Sequence, residues 1–474
     1  MEIRQEFNTF VRNIDGCAYI YNSKTKEELF IDENGFYFLS QICREWRPLG
    51  SIVDGLLEIF NKVDRDELTN DTIDFFKYLN EKGFVEIKQG GKEVSIFDTK
   101  KSYNDAILPP IIKQIPDTTQ IHLLKMFSKS PRLFSLQIEL TNLCNERCIH
   151  CYIPHKYKNK IMSIPHYEAI LAEANKMGVL TFVINGGEPM CHPEFLNMLK
   201  MANEYDFNIT ILSNLTLLTD EIIDYIKKSH VSEIQTSIYS LDADIHDKIT
   251  NVKGSLDLTL NNLFKLKANG VRVRVSCVLM KQNKDSYKDI IHWSKIHNIP
   301  ISFDYILFGR YDYTTDNLDN RLTKEEVEGI IRYIIKNDDN YIKKIQSTDF
   351  ELLNNYYKKF GVSCNVGRST LCISSDGTAY PCIGWQGYKL GNISEMSLSD
   401  IWNGAKLERL RNISRYDFEK CKECKDIFFC SRCLARNANE NNGDYMKLSQ
   451  QTCDLANMNR RLCSELLSVD ILYK

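Results

Sequence analysis

Residues 133–152 read LFSLQIELTNLCNERCIHCY, and the interpretation of the whole chain starts from this stretch. Its first part, Leu133–Leu140, has the composition of a β-strand. Three cysteines follow the strand almost at once: Cys144, Cys148 and Cys151. Barrels of alternating strands and helices build their active sites at the C-terminal ends of their strands. The stretch therefore predicts a barrel strand with a cysteine-rich site at its end.

Strand-like and helix-like segments alternate from residue 133 onward. The predicted strands are 133–140, 180–184, 209–212, 233–239, 271–279 and 301–307, and the predicted helices are 165–177, 193–205, 219–228, 255–268 and 286–297. Such alternation indicates an α/β fold with a parallel sheet and right-handed crossovers. Because six units are fewer than the eight of a closed barrel, we expect a partial, open (β/α)6 TIM-type barrel over residues 133–320.

Other domains are expected on both sides of the barrel. Residues 1–95 combine short strands with three amphipathic helices, which predicts a small winged-helix module that ends in a linker at Lys88–Glu93. Residues 96–132 are a proline-broken linker, 321–360 a charged helical bridge, and 361–474 a cysteine-rich domain with short strands.

The composition narrows the class of protein. The net charge of −3 offers no bulk attraction to nucleic acid or to an anionic membrane. No apolar run approaches the roughly 20 residues that span a bilayer, and the N-terminus lacks a signal peptide, so we expect a cytoplasmic protein. A reducing cytosol disfavours disulfides, and sixteen cysteines at short spacings therefore indicate metal or iron–sulfur ligation.

Two motifs carry the chemistry of the barrel. Three thiolates on one loop can hold three irons of a [4Fe–4S] cluster and leave the fourth iron open for a ligand. Structural zinc, the alternative, usually takes four ligands in two pairs, and this loop offers three. After the second strand comes Gly186-Gly187-Glu188-Pro189, where glycines permit close backbone approach and Glu188 is suited to receive a ligand's ammonium group.

Together these motifs resemble the radical S-adenosylmethionine (radical SAM) superfamily. The resemblance implies that the three cysteines of the loop are both catalytic residues and cluster ligands, and that an S-adenosylmethionine molecule binds beside them. It places His150 near the adenine, Tyr152 close by through its backbone, and Gly186, Gly187, Glu188 and Pro189 at the methionyl amino group. Ser213, Asn214 and Ser237 match positions that approach the sugar and carboxylate.

The C-terminal cysteines resemble the SPASM extension of peptide-modifying radical SAM enzymes. The pattern is Cys364-x12-Gly377-x4-Cys382, then Cys421-x2-Cys424-x5-Cys430-x2-Cys433, then Cys453. The resemblance implies two auxiliary [4Fe–4S] clusters, one on Cys421, Cys424, Cys430 and Cys453 and one on Cys364, Cys382 and Cys433. Cys372 is either the fourth ligand of the latter or a core thiol that leaves one iron open. Zinc remains the alternative, because eight cysteines also suit two zinc ions.

The front module resembles the winged-helix recognition domain of peptide-modifying enzymes and of the peptide chaperone of pyrroloquinoline-quinone synthesis. That likeness implies a leader peptide that adds a strand to the sheet near Glu28–Asp32 and lies against the helix after Ile52. A dimerisation wing or a purely structural wing is the alternative.

The three resemblances imply a maturase of a ribosomally synthesised peptide, with three [4Fe–4S] clusters, S-adenosylmethionine and a reductant such as flavodoxin or ferredoxin. A cysteine thioether crosslink is the preferred product. Carbon–carbon crosslinking, decarboxylation, epimerisation and anaerobic sulfatase-type maturation are alternatives. A non-catalytic iron–sulfur electron carrier or a peptide-binding scaffold is the alternative from another class.

Overall fold

A computed structural model describes most of the 474-residue chain. The described residues are 1–90, 92–94, 118–337, 364 and 366–467. Two compact units are present, one of Met1–Tyr103 with Asp206–Asn208 and one of Asn104–Tyr205 with Ile209–Lys474. Within the described part of the chain, no helix has the length and apolar character needed to cross a membrane.

The first unit consists of two small antiparallel sheets and three helices. Its strands are β1 (Glu2–Gln5), β2 (Thr9–Ile14), β3 (Cys17–Asn22), β4 (Glu28–Ile31), β5 (Arg47–Pro48), β6 (Val85–Gln89) and β7 (Lys92–Val94). Its helices are α1 (Glu33–Ser40), α2 (Leu49–Ile59) and α3 (Arg65–Glu81). The sheet orders are β2-β3-β4 and β5-β1-β6-β7. The expected linker at Lys88–Glu93 is wrong, because Gln89 pairs with Lys92 in a β6–β7 hairpin whose turn includes Gly90 at a φ of +60°.

Local chemistry sets the boundaries in this unit. Helix α3 begins at Arg65 because the Asp64 carboxylate accepts hydrogen bonds from the backbone N–H groups of Asp66 and Glu67, at 2.9 and 3.2 Å. At Gly35 of α1, a Cβ would come closer than 3.0 Å to Ile31 of β4. Glycine thus lets α1 pack directly on β4.

The second unit is built around one mixed sheet. Its strands are β8 (Ser135–Thr141), β9 (Thr181–Gly186), β10 (Asn208–Leu212), β11 (Val231–Ser237), β12 (Val273–Val278), β13 (Ile301–Asp304), β14 (Thr370–Ile373), β15 (Thr378–Tyr380) and β16 (Gly391–Asn392). Their order is β13-β12-β11-β10-β9-β8-β14-β15-β16. The six strands β8–β13 follow one another in space as in sequence, and the registers given for them are parallel. The predicted α/β fold with a partial barrel is confirmed.

Helices connect and flank these strands. They are α4 (Thr118–Lys129), α5 (Ile164–Lys176), α6 (Phe195–Asn203), α7 (Asp220–Ile226), α8 (Ala243–Thr250), α9 (Ser255–Ala268), α10 (Tyr287–His297), α11 (Lys324–Asn337), α12 (Leu398–Trp402), α13 (Ala405–Arg411), α14 (Leu434–Glu440) and α15 (Gln450–Leu467). The predicted barrel helices are present, and sequence analysis missed α8 and α15. The expected helical bridge over 321–360 is described only as far as residue 337, where α11 ends.

Strand β14 extends the barrel sheet beyond its first strand. It pairs in parallel with β8, so that Thr370 lies opposite Ser135 and Cys372 opposite Gln137. Strand β15 then pairs antiparallel with β14. The cysteine-rich domain is therefore joined to the barrel by continuous sheet.

The two faces of the sheet differ in character. Ile138 and Ile184 lie side by side and are fully buried on the face whose Phe182 ring contacts Tyr167 of α5. Alternation along the strands places Glu139 and its register partner Asn185 on the opposite face. We call this opposite face the inner face.

Candidate active site and auxiliary cysteine sets

The cysteine loop, residues 144–151, follows β8 directly. The thiols of Cys144, Cys148 and Cys151 are half-buried and lie near one another. Burial raises the pKa of the Cys148 thiol well above its usual value, and the neighbouring Cys151 and Cys144 thiols add to the rise. The three predicted ligands are thus brought together at the C-terminal end of the first barrel strand.

Hydrogen bonds fix both ends of the cysteine loop. At its start, the Asn142 side chain donates to the backbone oxygen of Tyr157 and accepts from the backbone N–H of Lys160, both at 2.7 Å. Near its end, the N–H of Arg147 donates to the carbonyl of Thr250 at 2.9 Å, in the last residue of α8. The loop therefore has a defined path across the strand ends.

The two glycines at the end of β9 lie against the backbone that leads into the cysteine loop. A Cβ on Gly187 would lie 2.6 Å from the carbonyl oxygen of Asn142 and still closer to that of Leu143. A Cβ on Gly186, whose φ is +151°, would meet the carbonyl of Thr141 closer than 3.0 Å. These neighbours are backbone atoms, so only glycine permits the approach.

Glu188 is a fully buried carboxylate with three hydrogen bonds from the protein. It accepts from Ser213 Oγ at 2.8 Å, from the N–H of Asn214 at 2.7 Å and from the N–H of Met190 at 3.1 Å. Burial raises its pKa to about 7. Asn214 in turn donates through Nδ2 to the side chain of Asn145 at 2.9 Å. The structure thus places four predicted regions, the glycine pair, Glu188, Ser213–Asn214 and the cysteine loop, in one network.

His150 and Ser237 meet at the end of β11. The His150 ring packs edge-on against Tyr239, with ring centres 4.9 Å apart, and the Ser237 side chain hydrogen-bonds Tyr239. Burial lowers the pKa of His150 to about 4, with the Lys158 charge adding to the effect, so the ring is neutral near pH 7. His150 Nδ1 is buried and has no hydrogen-bond partner among the described residues. This ring nitrogen is available for a hydrogen bond with a bound adenine.

Sequence analysis did not predict that the loop after β13 would hydrogen-bond the backbone of the cysteine loop. Asn317 Nδ2 donates to the carbonyl of His150 at 3.2 Å, and the N–H of Tyr311 donates to that of Tyr152, also at 3.2 Å. Arg310 reaches the carbonyl of Cys151 at 3.4 Å. These contacts end on backbone oxygens, so no residue pattern in the cysteine loop could have revealed them.

The inner face carries two further buried polar groups beside the cysteine loop. Glu139 is 1% exposed and accepts a 2.6 Å hydrogen bond from Gln386 Nε2. Burial raises its pKa to about 8, although the hydrogen bond from Gln386 opposes the rise. Its neighbour Asn185 is 2% exposed, and both amide atoms lack a hydrogen-bond partner among the described residues. The inner face therefore offers a donor and an acceptor to a ligand.

The first auxiliary set, Cys364, Cys382 and Cys433, surrounds a cavity of about 160 Å³. Arg368 and Arg432 also line this cavity. The donor set, three thiols with two cationic neighbours around a partly open cavity, fits an iron–sulfur cluster, whose net charge is negative.

Cys372 does not line that cavity. Its side chain is fully buried in β14, in register with Gln137 and so on the same face as Glu139. Burial raises the pKa of the Cys372 thiol well above its usual value, and the Glu139 carboxylate and the Cys382 thiol add to the rise. The thiol thus lies beside the inner-face carboxylate.

The second auxiliary set is Cys421, Cys424, Cys430 and Cys453, the last on α15. Burial raises the pKa of Cys453, and the Cys421 and Cys424 thiols add to the rise. Burial likewise raises the pKa of Cys430 to about 12, with Cys421 and Cys453 as neighbours. Among the residues that the structure describes, no three histidine, cysteine or acidic side chains come close enough to share one metal ion.

Known proteins match both cysteine-bearing regions. The radical SAM superfamily domain matches residues 138–294, and the SPASM domain, an iron–sulfur cluster-binding domain, matches residues 364–425. The AdoMet-dependent heme synthase of Methanosarcina barkeri is 23% identical over 68% of this chain and 95% of its own length. The antilisterial bacteriocin subtilosin biosynthesis protein AlbA of Bacillus subtilis is 25% identical over 64% of this chain and 67% of its own.

The fold is shared with a solved structure. Streptococcus suis SuiB bound to its precursor peptide SuiA superposes with a TM-score of 0.63 at 17% identity, over 95% of this chain and 99% of SuiB. The radical SAM match contains Cys144, Cys148 and Cys151, and the SPASM match contains Cys364, Cys382, Cys421 and Cys424 but ends before Cys430. Residues 138–294 are therefore a radical SAM domain and residues 364–425 a SPASM iron–sulfur cluster-binding domain, which makes the chain an enzyme whose cofactors are S-adenosylmethionine and iron–sulfur clusters.

Proposed function

We propose that this enzyme matures a ribosomally synthesised precursor peptide by joining a cysteine sulfur to a carbon of another residue as a thioether. The observation that carries the proposal is the first auxiliary cavity, which three cysteines line and Cys372 does not. A [4Fe–4S] cluster takes four protein ligands when its coordination is complete. Three thiolates leave one iron available for the thiolate of a substrate cysteine.

The barrel residues have separate roles in this proposal. When bound, the cluster of the cysteine loop and S-adenosylmethionine supply a 5′-deoxyadenosyl radical that removes a hydrogen atom from the substrate. Glu188 holds Ser213 and Asn214 against the cysteine loop, and the His150 ring would lie against the adenine of a bound S-adenosylmethionine. Asn185 and Glu139 face the substrate from the inner face, where they orient it and exclude water.

The atom balance of thioether formation is consistent with two separate sites, one that supplies a radical and one that accepts an electron. The substrate loses one S–H and one C–H bond and gains one S–C bond. One hydrogen leaves as an atom, and the other leaves as a proton together with an electron. The reaction therefore requires an electron acceptor as well as a radical source, and we propose three [4Fe–4S] clusters in all, with flavodoxin or ferredoxin as the external reductant.

The leader of the precursor peptide is proposed to bind the free edge of β4. The backbone N–H of Asn22 donates to Glu27, and β3 and β4 continue from there in antiparallel register. Since hydrogen-bonded pairs alternate in such a ladder, the backbone groups of Glu28 and Phe30 point to the edge that carries no strand in the described sheet. An extended peptide can add to such an edge.

The alternative suggested by the relatives is a reaction on a porphyrin, since one of them is an AdoMet-dependent heme synthase. That match covers 68% of the chain, whereas the fold shared with SuiB extends over 95% and thus includes most of the first unit. A peptide substrate gives the first unit a role, and we therefore favour it.

The test is an anaerobic reaction of the iron-loaded enzyme with S-adenosylmethionine, dithionite and synthetic cysteine-containing peptides encoded beside its gene. We expect 5′-deoxyadenosine, a peptide lighter by two hydrogens, and a cysteine that no longer reacts with iodoacetamide. Loss of two hydrogens with an alkylatable thiol would indicate a carbon–carbon crosslink instead. Conversion of iron-coproporphyrin with no change in any peptide would refute the maturase proposal.

A further inference from the structure

A two-residue link separates the two auxiliary sets. Cys430 belongs to the second set and Cys433 to the first, and only Ser431 and Arg432 stand between them. This link places Arg432 directly between the two groups of thiols in the sequence.

Arg432 contacts both sets. Its side chain hydrogen-bonds the thiol of Cys421, and its backbone N–H donates to the sulfur of Cys430, so it contacts the second set twice. Arg432 also lines the cavity of the first set, and its charge acts on the Cys364 thiol. The guanidinium carbon lies 4.8 Å from the centre of the Phe418 ring, which is 3% exposed and supports the side chain from one side.

Other arginines near the clusters contact one set each. Arg368 lines the cavity of the first set and donates to the carbonyl of Arg411. Arg415 donates through Nε to the carbonyl of Cys421, at 3.1 Å, in the second set. Arg432 differs from these arginines because its guanidinium group hydrogen-bonds a thiol of the second set while its charge acts on a thiol of the first.

We propose that Arg432 is a shared positive charge that raises the reduction potential of both auxiliary clusters and so keeps both able to accept an electron. The inference rests on the proposed pair of auxiliary clusters. A cluster becomes more negative when it is reduced, and a nearby fixed cation stabilises the reduced form. Arginine suits this role because it stays protonated in proteins and its planar fork presents donors in two directions.

The test measures midpoint potentials rather than turnover. Wild-type and R432Q proteins are reconstituted with iron and sulfide, and their reduction is followed by EPR-monitored redox titration with S-adenosylmethionine present. We expect R432Q to lower both auxiliary midpoint potentials at unchanged iron content. The matched control R368Q removes a cation that lines one cavity, and it should lower one potential only. A shift of one potential or none in R432Q would overturn the proposal.

Two further measurements keep the test decisive. If R432Q does not retain its iron, R432K keeps the positive charge on a side chain without the fork, and it should hold the iron with at least one of the two potentials at its wild-type value. Two lowered potentials in R432K at full iron content would then overturn the proposal, because the charge would be present without its effect. Metal and sulfide analysis tests the presence of the clusters separately. About twelve irons per chain would indicate three clusters. About four irons with two zinc ions per chain would refute the pair of auxiliary clusters itself.

Discussion

Single residues decide how closely the active-site segments approach one another. The backbone oxygens of Asn142 and Leu143 occupy the space where a side chain on Gly187 would lie. The Gly-Gly-Glu-Pro motif was recognisable from sequence because this approach demands particular residue types. Arg310 and Tyr311 were not, since they act on backbone carbonyls and loop residues of many kinds can do so.

Gly187→Ala should therefore disrupt the site. Its Cβ would be 2.6 Å from the Asn142 oxygen, and a backbone carbonyl cannot move aside cheaply. We expect reduced iron retention and at least tenfold weaker S-adenosylmethionine binding, measured by iron analysis and equilibrium dialysis. The control is Gly329→Ala in α11, where a Cβ meets nothing within 4 Å and alanine should stabilise the helix by up to about 1 kcal/mol. Equal iron content and affinity in both variants would contradict this account of the glycine.

Glu139 should make stability depend on pH. Burial raises its pKa in the folded protein to about 8, against roughly 4.3 when unfolded, so the folded state retains a proton that the unfolded state loses. The contribution of Glu139 to the free energy of unfolding therefore falls as the pH rises from 4.3 towards 8. Relative to Glu139→Gln, the wild type should lose about 2 kcal/mol of unfolding free energy between pH 6 and pH 8.

Anaerobic urea unfolding of both proteins at the two pH values measures that difference. The control is Glu168→Gln, because Glu168 is exposed on α5 and its carboxylate stays in water. A difference between wild type and Glu139→Gln that stays constant from pH 6 to pH 8 would show that the carboxylate is not buried as described.

At the scale of elements, the length and periodicity of a segment decide whether its strand or helix was predicted from sequence. The long apolar strands of the barrel and the amphipathic helices between them were predicted to within a few residues. Strands β5 and β7 have two and three residues, too short for a periodic pattern. Strand β14, with the sequence Thr-Leu-Cys-Ile, is positioned by its pairing with β8. This pairing is a long-range contact that no local sequence pattern encodes.

The edge of β4 should bind the leader peptide through its backbone. Phe30→Pro removes an N–H that faces the free edge, while proline is tolerated at sheet edges. We expect at least tenfold weaker binding of a fluorescent precursor peptide, measured by anisotropy. Phe30→Ala is the control, because it removes the ring that packs on Tyr19 and keeps the N–H. If both variants bind as wild type does, the leader binds elsewhere.

The position of Cys372 in β14 gives a further expected outcome. The Cys372 thiol lies beside Glu139, and Cys372 does not line the cavity of the first auxiliary set. The Cys372→Ala variant should therefore retain the iron and sulfide content of the wild type. Cys364→Ala, which removes a residue that lines the cavity, should lose iron. Iron and sulfide analysis after identical reconstitution compares them, and a Cys372→Ala protein that loses as much iron would make Cys372 a ligand.

At the scale of the whole molecule, the sheet connects radical chemistry to the auxiliary sets. Strand β8 leads into the cysteine loop on one side and pairs with β14 on the other, and β14 leads through β15 to Cys382. The assignment of the cysteines to three cluster sets from sequence spacing stays a prediction. Sequence spacing did not reveal that Gln386, four residues after Cys382, hydrogen-bonds Glu139 on the first barrel strand, because the two residues are 247 positions apart.

The central claim is that a radical formed at the cysteine loop acts on a peptide. The most direct measurement uses a precursor peptide deuterated at its carbon atoms, with S-adenosylmethionine and reductant, and follows deuterium into 5′-deoxyadenosine by mass spectrometry. We predict that the wild type transfers deuterium and that a Cys144/Cys148/Cys151→Ala variant forms no 5′-deoxyadenosine. Formation of 5′-deoxyadenosine without deuterium, by wild-type enzyme with its full iron content and bound peptide, would contradict the claim.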